Sequence, residues 1–196
     1  MESLRILLAE DESISLMGLK AKLESLGHQV VAEGATGSEA VALARETKPD
    51  LAILDIKMPD MDGIEASRKI MEEEPIPIIL LTGYGQEGLA QRAVEAGVFG
   101  YLLKPAGEED LVPAITLARA RFKEFRALQA EVENLREALE TRRLVERAKG
   151  ILMRRLNLGE EEAFRRLQQR SQDENRKMGE IAQAIITADE MFEKRI

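Results

Sequence analysis

Up to about residue 120 the hydrophobic positions fall into short clusters. The runs "RILLA" (5–9), "QVVA" (29–32), "LAIL" (51–54), "IPIILL" (76–81) and "GYLL" (100–103) are largely apolar throughout instead of alternating, the pattern of strands covered on both faces. Between them, amphipathic spacing predicts helices over about 13–26, 38–48, 64–73, 86–96 and from 108 onward, several opened by cap-like residues such as Ser13 and Ser38. Five βα units in succession predict an α/β fold, a doubly wound parallel sheet with helices on either side. For five such units the common strand order is 2-1-3-4-5, with a topological switch point between strands 1 and 3.

The pattern changes after residue 110. From Leu111 to about Leu156 the only glycine is Gly150 and the only proline is Pro113, which lies near the helix start where it is tolerated, so one long helix is expected. Within it Phe125, Leu128, Val132, Leu135 and Leu139 form a short heptad seam that then meets Arg142, and a coiled coil pairing two copies of the chain is expected there. After "NLG" (157–159) two further helices are predicted at about 160–173 and 179–192. Ala148, Ile151, Leu152, Ala163, Phe164, Leu167, Ile181, Ala182 and Ile185 recur at helical spacing and are expected to form the core of a small three-helix domain. Phe164 is read as a core residue and not as a platform for bases.

Composition narrows the chemistry. The chain lacks cysteine and has one histidine, which removes disulfides, thiolate sites and multi-histidine metal clusters and leaves carboxylates, hydroxyls and lysine. No apolar run approaches the roughly 20 residues that cross a bilayer, and the start "MESLRILLAEDES" turns acidic too soon for a secretory signal, so a cytoplasmic protein with no membrane partner is expected. Residues 1–120 hold 11 basic and 21 acidic residues, whereas residues 141–177 hold 11 basic and 6 acidic ones. The first balance suits a cation, and the second is the electrostatic footprint of a nucleic-acid binder as well as of an ordinary charged helix surface.

Placed on the strand pattern, Glu10 and Asp11 follow strand 1, Asp55 ends strand 3, Thr82 follows strand 4 and Lys104 follows strand 5. All lie on the carboxyl edge, where open α/β sheets bind ligands. Three carboxylates with oxygen-only ligation favour a hard cation, Mg²⁺ before the transition metals. With such an ion lowering the repulsion toward an incoming phosphoryl group, Asp55 can act as a nucleophile and form an aspartyl phosphate. Lys104 and Thr82 would then pair with the phosphate oxygens. His28, in "LGHQV", lies away from this edge and is read as structural, exposed or capping.

The segments "AED", "LDIKMPDMDG", "LLTGYG" and "YLLKP" resemble the receiver domain of two-component response regulators over residues 1–121. That resemblance implies a flavodoxin-like (βα)5 fold, phosphorylation of Asp55 by a sensor histidine kinase, and Mg²⁺ held by Glu10, Asp11, Asp55 and the backbone carbonyl of Lys57. It also makes Thr82 and Tyr101 a switch pair, the aromatic ring turning inward as the threonine moves toward the phosphate. Residues 122–140 are expected to be the coiled-coil linker helix.

In residues 141–196, "ERAKGILM", "EEAFRRLQQRS" and "MGEIAQAI" resemble the ANTAR domain, an RNA-binding antitermination module found behind receivers. The resemblance implies binding to RNA hairpins of nascent transcripts. Basic residues left over from the predicted core supply phosphate and loop-base contacts, with Arg143, Lys149, Arg154, Arg166, Arg170 and Arg176 as the candidates. Two other outputs stay open. A DNA-binding regulator would need a recognition helix after "MGEIAQAI", where the chain stops at Ile196. A module that only dimerises or docks a protein predicts no salt-sensitive nucleic-acid binding. An output enzyme is not expected, because the tail has no histidine, cysteine or convergent acid pair.

Overall fold

A computed structural model describes residues 2–83, 92 and 96–193. The elements in chain order are β1 (Arg5–Ala9), α1 (Ser13–Ser25), β2 (Gln29–Gly34), α2 (Gly37–Thr47), β3 (Leu51–Asp55), α3 (Gly63–Glu73), β4 (Ile78–Thr82), β5 (Gly100–Leu103), α4 (Glu108–Leu156), α5 (Glu160–Glu174) and α6 (Met178–Glu193). Most of the helix expected over 86–96 lies outside the described residues. The chain divides into two compact units, Met1–Arg126 and Ala127–Ile196.

In the first unit the strands form one parallel sheet in the order β2-β1-β3-β4-β5. Alternate residues of each strand go to opposite faces, as the pleat requires. Ile6, Leu8, Leu51, Ile53, Ile79 and Leu81 pack with Leu19 and Leu23 of α1 and with Leu111, Ile115 and Ala118 of α4. Leu7, Ala52, Leu54, Ile78 and Leu80 pack with Ala40 and Ala44 of α2 and Ile64 and Ile70 of α3. Each fully buried Leu or Ile contributes about 1.5–3 kcal/mol relative to exposure, so both faces of the sheet hold the strand ends in register.

Helix starts differ from the sequence expectation. Thr36, not Ser38, caps α2, its hydroxyl accepting from the Glu39 N–H at 3.1 Å. The N-cap of α1 is Glu12, whose side chain makes no capping hydrogen bond among the described residues. Asp62 caps α3, accepting from the Glu65 N–H at 2.8 Å. Two glycines permit close approaches near the segment that follows β3: a Cβ at Gly63 would collide with the Asp55 carbonyl oxygen, and one at Gly37 would collide with the Met61 backbone.

His28 is buried, only 6% exposed, which corrects the expected exposed or capping position. Its Nδ1 accepts from the Leu4 N–H at 3.3 Å, and its Nε2 has no hydrogen-bond partner among the described residues. Burial, followed by the charges of Arg119 and the chain terminus, lowers its pKa below the usual 6.5.

In the second unit Val145, Ala148, Ile151, Leu167, Ile181, Ala182 and Ile186 form the core. Ile186 takes the fully buried place expected for Ile185, which is half-buried with Leu152. Phe164, expected in the core, is 39% exposed. Phe125 leaves the heptad seam as well. Its ring sits 5.6 Å from Phe99 in an edge-to-face pair and belongs to the sheet unit, so the exposed seam begins at Leu128 and continues through Val132, Leu135 and Leu139. Among the described residues no helix is long and apolar enough to cross a membrane.

Candidate functional site

The register of the parallel sheet assembles the acidic pocket. Ala9 pairs with Leu54, Asp55 with Leu81, and Thr82 with Leu103, so Glu10, Asp55, Thr82 and Lys104 emerge on one edge. Backbone hydrogen bonds continue the ladder past the strand ends: the Glu10 N–H reaches the Gly34 carbonyl at 3.0 Å, and the Lys104 N–H reaches the Thr82 carbonyl at 2.9 Å.

Glu10 and Asp55 are 1% and 5% exposed, while Asp11 stands open to solvent. One carboxylate oxygen from each of the three can be chosen so that all lie within 4.8 Å of one another. Lys104 enters this cluster from the side, with its ammonium 2.5 Å from Glu10 and 2.8 Å from Asp55. Ser15 donates to Glu10 at 3.1 Å. The three carboxylates and one ammonium leave a net deficit of positive charge in a largely buried place. An all-oxygen donor set of this kind fits a hard divalent cation.

Burial raises the Asp55 pKa above the ordinary carboxylate value; the Glu10 charge adds to this, and Lys104 and the Lys57 backbone N–H only partly offset it. For Lys104 burial acts downward, but hydrogen bonds to Asp55 and Glu10 outweigh it and raise the pKa. The lysine is therefore a fixed cation, and the aspartate is the group whose charge is sensitive to its surroundings.

The other two acids of "LDIKMPDMDG" turn elsewhere. Asp60 is bonded by the Ser38 side chain and by the Ser38 backbone at the start of α2, which holds its pKa below the ordinary value. Asp62 caps α3 and accepts from Arg92 at 2.8 Å. Of the three acids in this segment only Asp55 enters the pocket. Thr82 ends β4, with its hydroxyl 3.2 Å from the Gly83 carbonyl. Tyr101 is 68% exposed, its ring directed outward. A cis peptide joins Lys104 to Pro105.

The basic candidates of the second unit are less open than their spacing suggests. Lys149, expected as an RNA contact, is 9% exposed and pairs with both Glu146 and Glu160 at 2.7 Å, so it ties α4 to α5 instead of standing on the surface. Arg154 and Arg155 both reach the buried Asp189, at 3.0 and 2.7 Å. The role of Asp189 escaped the sequence reading, since nothing local marks a lone acid at residue 189 as the partner of residues 154 and 155. Arg166 pairs with Glu162 at 3.3 Å, Arg170 with Glu174 at 2.5 Å, and Arg176 with Glu174 and Glu180 at 3.3 and 3.2 Å. Arg143 is exposed.

Residues 6–116 match the family described as response regulator receiver domain, and residues 133–186 match the ANTAR domain. The chain therefore belongs to the response regulators, with a receiver domain followed by an ANTAR domain. It is 44% identical over 182 residues to the transcriptional regulatory protein PdtaR of Mycobacterium tuberculosis, covering 93% of this chain and 89% of that protein. It is 36% identical over 115 residues to the response regulator protein VraR of Staphylococcus aureus, covering 58% of this chain and 55% of the other. Among solved structures, the receiver domain of a modulated diguanylate cyclase from Desulfovibrio desulfuricans G20 superposes with a TM-score of 0.59 at 32% identity over 62% of this chain and 98% of that one. CheY in the CheX–CheY–BeF3–Mg²⁺ complex from Borrelia burgdorferi gives 0.54 at 26% identity over 57% and 85%.

Proposed function

We propose that this response regulator is phosphorylated on Asp55 by a sensor histidine kinase and acts as a transcription antiterminator by binding RNA hairpins. The observation that carries the first step is the convergence of Glu10, Asp11, Asp55 and Lys104 at one sheet edge. The carboxylates of Glu10, Asp11 and Asp55, with the backbone carbonyl of Lys57, would hold Mg²⁺. The ion supplies positive charge that offsets repulsion between the pocket and an incoming phosphoryl group. An Asp55 oxygen attacks the phosphorus of a phosphohistidine, the P–N bond breaks, and the imidazole nitrogen keeps the electron pair. Lys104 neutralises one oxygen of the new aspartyl phosphate, and the Thr82 hydroxyl donates to another. The CheY complex, which contains BeF3 and Mg²⁺, supports this assignment by similarity.

RNA as the output target is supported by the ANTAR match and by the arginines exposed on α4 and α5 and in the turn into α6. In A-form RNA the major groove is too deep and narrow for side chains to read, whereas hairpin loops present unstacked bases and phosphates together. Phosphorylation would bias Thr82 and Tyr101 and change pairing through Leu128, Val132, Leu135 and Leu139, bringing two ANTAR domains together in a cytoplasmic homodimer. Lys149 is not among the RNA contacts in this reading; its two glutamates give it a structural part.

The test is salt-dependent binding of the full chain to hairpin RNA pairs and to duplex DNA, with and without a phosphoryl mimic on Asp55. The expected result is tighter binding to the hairpins, strengthened by the mimic. Tighter binding to duplex DNA would replace antitermination with DNA regulation. Absence of salt-sensitive nucleic-acid binding would leave a protein-docking module.

A further inference from the structure

Between α5 and α6 runs a groove of about 420 Å³, within the roughly 300–1,000 Å³ range of pockets for small ligands. Its floor is apolar: Leu152, Leu167, Ile181, Ala184, Ile185 and Ala188. The α6 members recur at the three- and four-residue spacing of one helix face, and exposed alanines at 184 and 188 keep that face shallow enough to leave space. The rim is basic. Arg166 and Arg170 project from one stripe of α5, and Arg176 comes from the turn into α6.

Glu174 is the acid that lines the groove; Glu162 and Glu180 pair with Arg166 and Arg176 from outside it. The two Glu174 oxygens reach different arginines, Oε1 lying 2.5 Å from Arg170 Nε and Oε2 3.3 Å from Arg176 Nη1. The turn holds the arrangement in place: Asn175 adopts φ 48°, the Arg176 N–H bonds the Ser171 carbonyl at 3.0 Å, and the Ser171 hydroxyl donates to the Arg176 carbonyl at 2.5 Å. A carboxylate bridging two guanidinium groups marks a position that a backbone phosphate, likewise an anion with two acceptor oxygens, can take.

We propose that this groove seats one unpaired nucleotide of an RNA loop. Its base lies on the apolar floor, and its phosphate displaces Glu174 to bridge Arg170 and Arg176. Charge decides the occupant. A second apolar helix would cover the floor and offer the arginines nothing beyond the exposed pairs they make with Glu162, Glu174 and Glu180, whereas a nucleotide joins a flat apolar face to an anion and suits both parts of the groove. Arg166 at the edge can stack its planar guanidinium on the base. The inference rests on the RNA-binding reading above and adds where and how one loop base is taken.

The test uses the full chain and an RNA hairpin pair whose loop nucleotides are made abasic one at a time. Ala184→Leu fills the groove from an exposed helix position with a good helix former, and Gln168→Leu adds the same side chain on the far side of α5. One abasic position is expected to weaken wild-type binding about tenfold or more. Ala184→Leu should lose a similar factor on the intact hairpin and become indifferent to that abasic site, while Gln168→Leu matches the wild type. Glu174→Gln removes the competing carboxylate and should tighten binding, an effect that damage to the fold cannot produce. If the wild type binds hairpins in a salt-dependent way but Ala184→Leu and Glu174→Gln bind identically to it, the groove is not the seat and the RNA reading stands. A change of molecular mass in Ala184→Leu with unchanged RNA affinity would make the groove a contact between copies and overturn the proposal. If the wild type binds no hairpin, both readings fall.

Discussion

The ammonium of Lys104 lies 2.8 Å from the carboxylate of Asp55 and also contacts Glu10, so one cation is shared between two buried acids. Desolvation and the second carboxylate make the ionised form of Asp55 costly, as its raised pKa records. Between the unfolded value of 3.8 and that raised value the native state holds the extra proton, so stability falls as pH rises through this window, and the penalty persists above it. Asp55→Asn is therefore expected to melt at a higher temperature than the wild type at neutral pH in EDTA. A lower melting temperature would contradict the charge-strained pocket. Phosphoryl uptake from a small-molecule donor should disappear in the same variant and, in the wild type, should decline on acidification at a higher pH than for an ordinary aspartate.

Gly63 lets the end of β3 and the loop after Asp55 pack against the start of α3. Gly63→Ala would drive a methyl group into the Asp55 carbonyl oxygen, which is backbone and cannot rotate away. A loss of about 1–3 kcal/mol in chemical denaturation is expected, together with slower phosphoryl uptake because Asp55 shifts. Unchanged stability and uptake would show that the loop accommodates the methyl group.

His28 predicts acid sensitivity with a defined window. Its folded pKa lies below 6.5, so as pH falls below 6.5 the unfolded chain gains a proton that the folded chain resists, and stability declines until the folded pKa is passed. His28→Asn offers an oxygen to the Leu4 N–H and cannot be protonated. Its melting temperature should lose the part of the pH dependence below 6.5; a curve parallel to that of the wild type would assign the acid loss to other groups.

The seam on α4 predicts self-association. Leu128, Val132, Leu135 and Leu139 are exposed at heptad spacing. Leu135→Glu with Leu139→Glu is expected to halve the mass measured by light scattering under conditions where the wild type is dimeric, without lowering the helix content of the remainder. A phosphoryl mimic that changes neither mass nor RNA affinity in the wild type would remove the proposed coupling.

Much of this architecture was legible in local pattern. The strands at 5–9 and 100–103 agree with the expected runs, and the acids and lysine of the pocket were placed by the ends of those runs. Boundaries were less legible where a side chain had two possible partners. Ser38 has the chemistry of a cap, but Thr36 takes that place, and Ser38 turns to Asp60. Phe164 and Phe125 have the right helical phase for their expected roles. Phase, however, gives only direction around an axis, not what stands in that direction.

The period-2 and period-3.6 patterns of side chains are properties of the chain's own backbone, so the succession of strands and helices and the strand-end location of Glu10, Asp11, Asp55, Thr82 and Lys104 follow from the order of residues alone. Pairing between distant residues does not. That Lys104 meets Glu10, that Asp189 gathers Arg154 and Arg155, and that Lys149 is consumed by Glu146 and Glu160 depend on sheet register and helix packing. Those follow from burying apolar area across the whole domain, and charged side chains take whatever partners the packing leaves within reach.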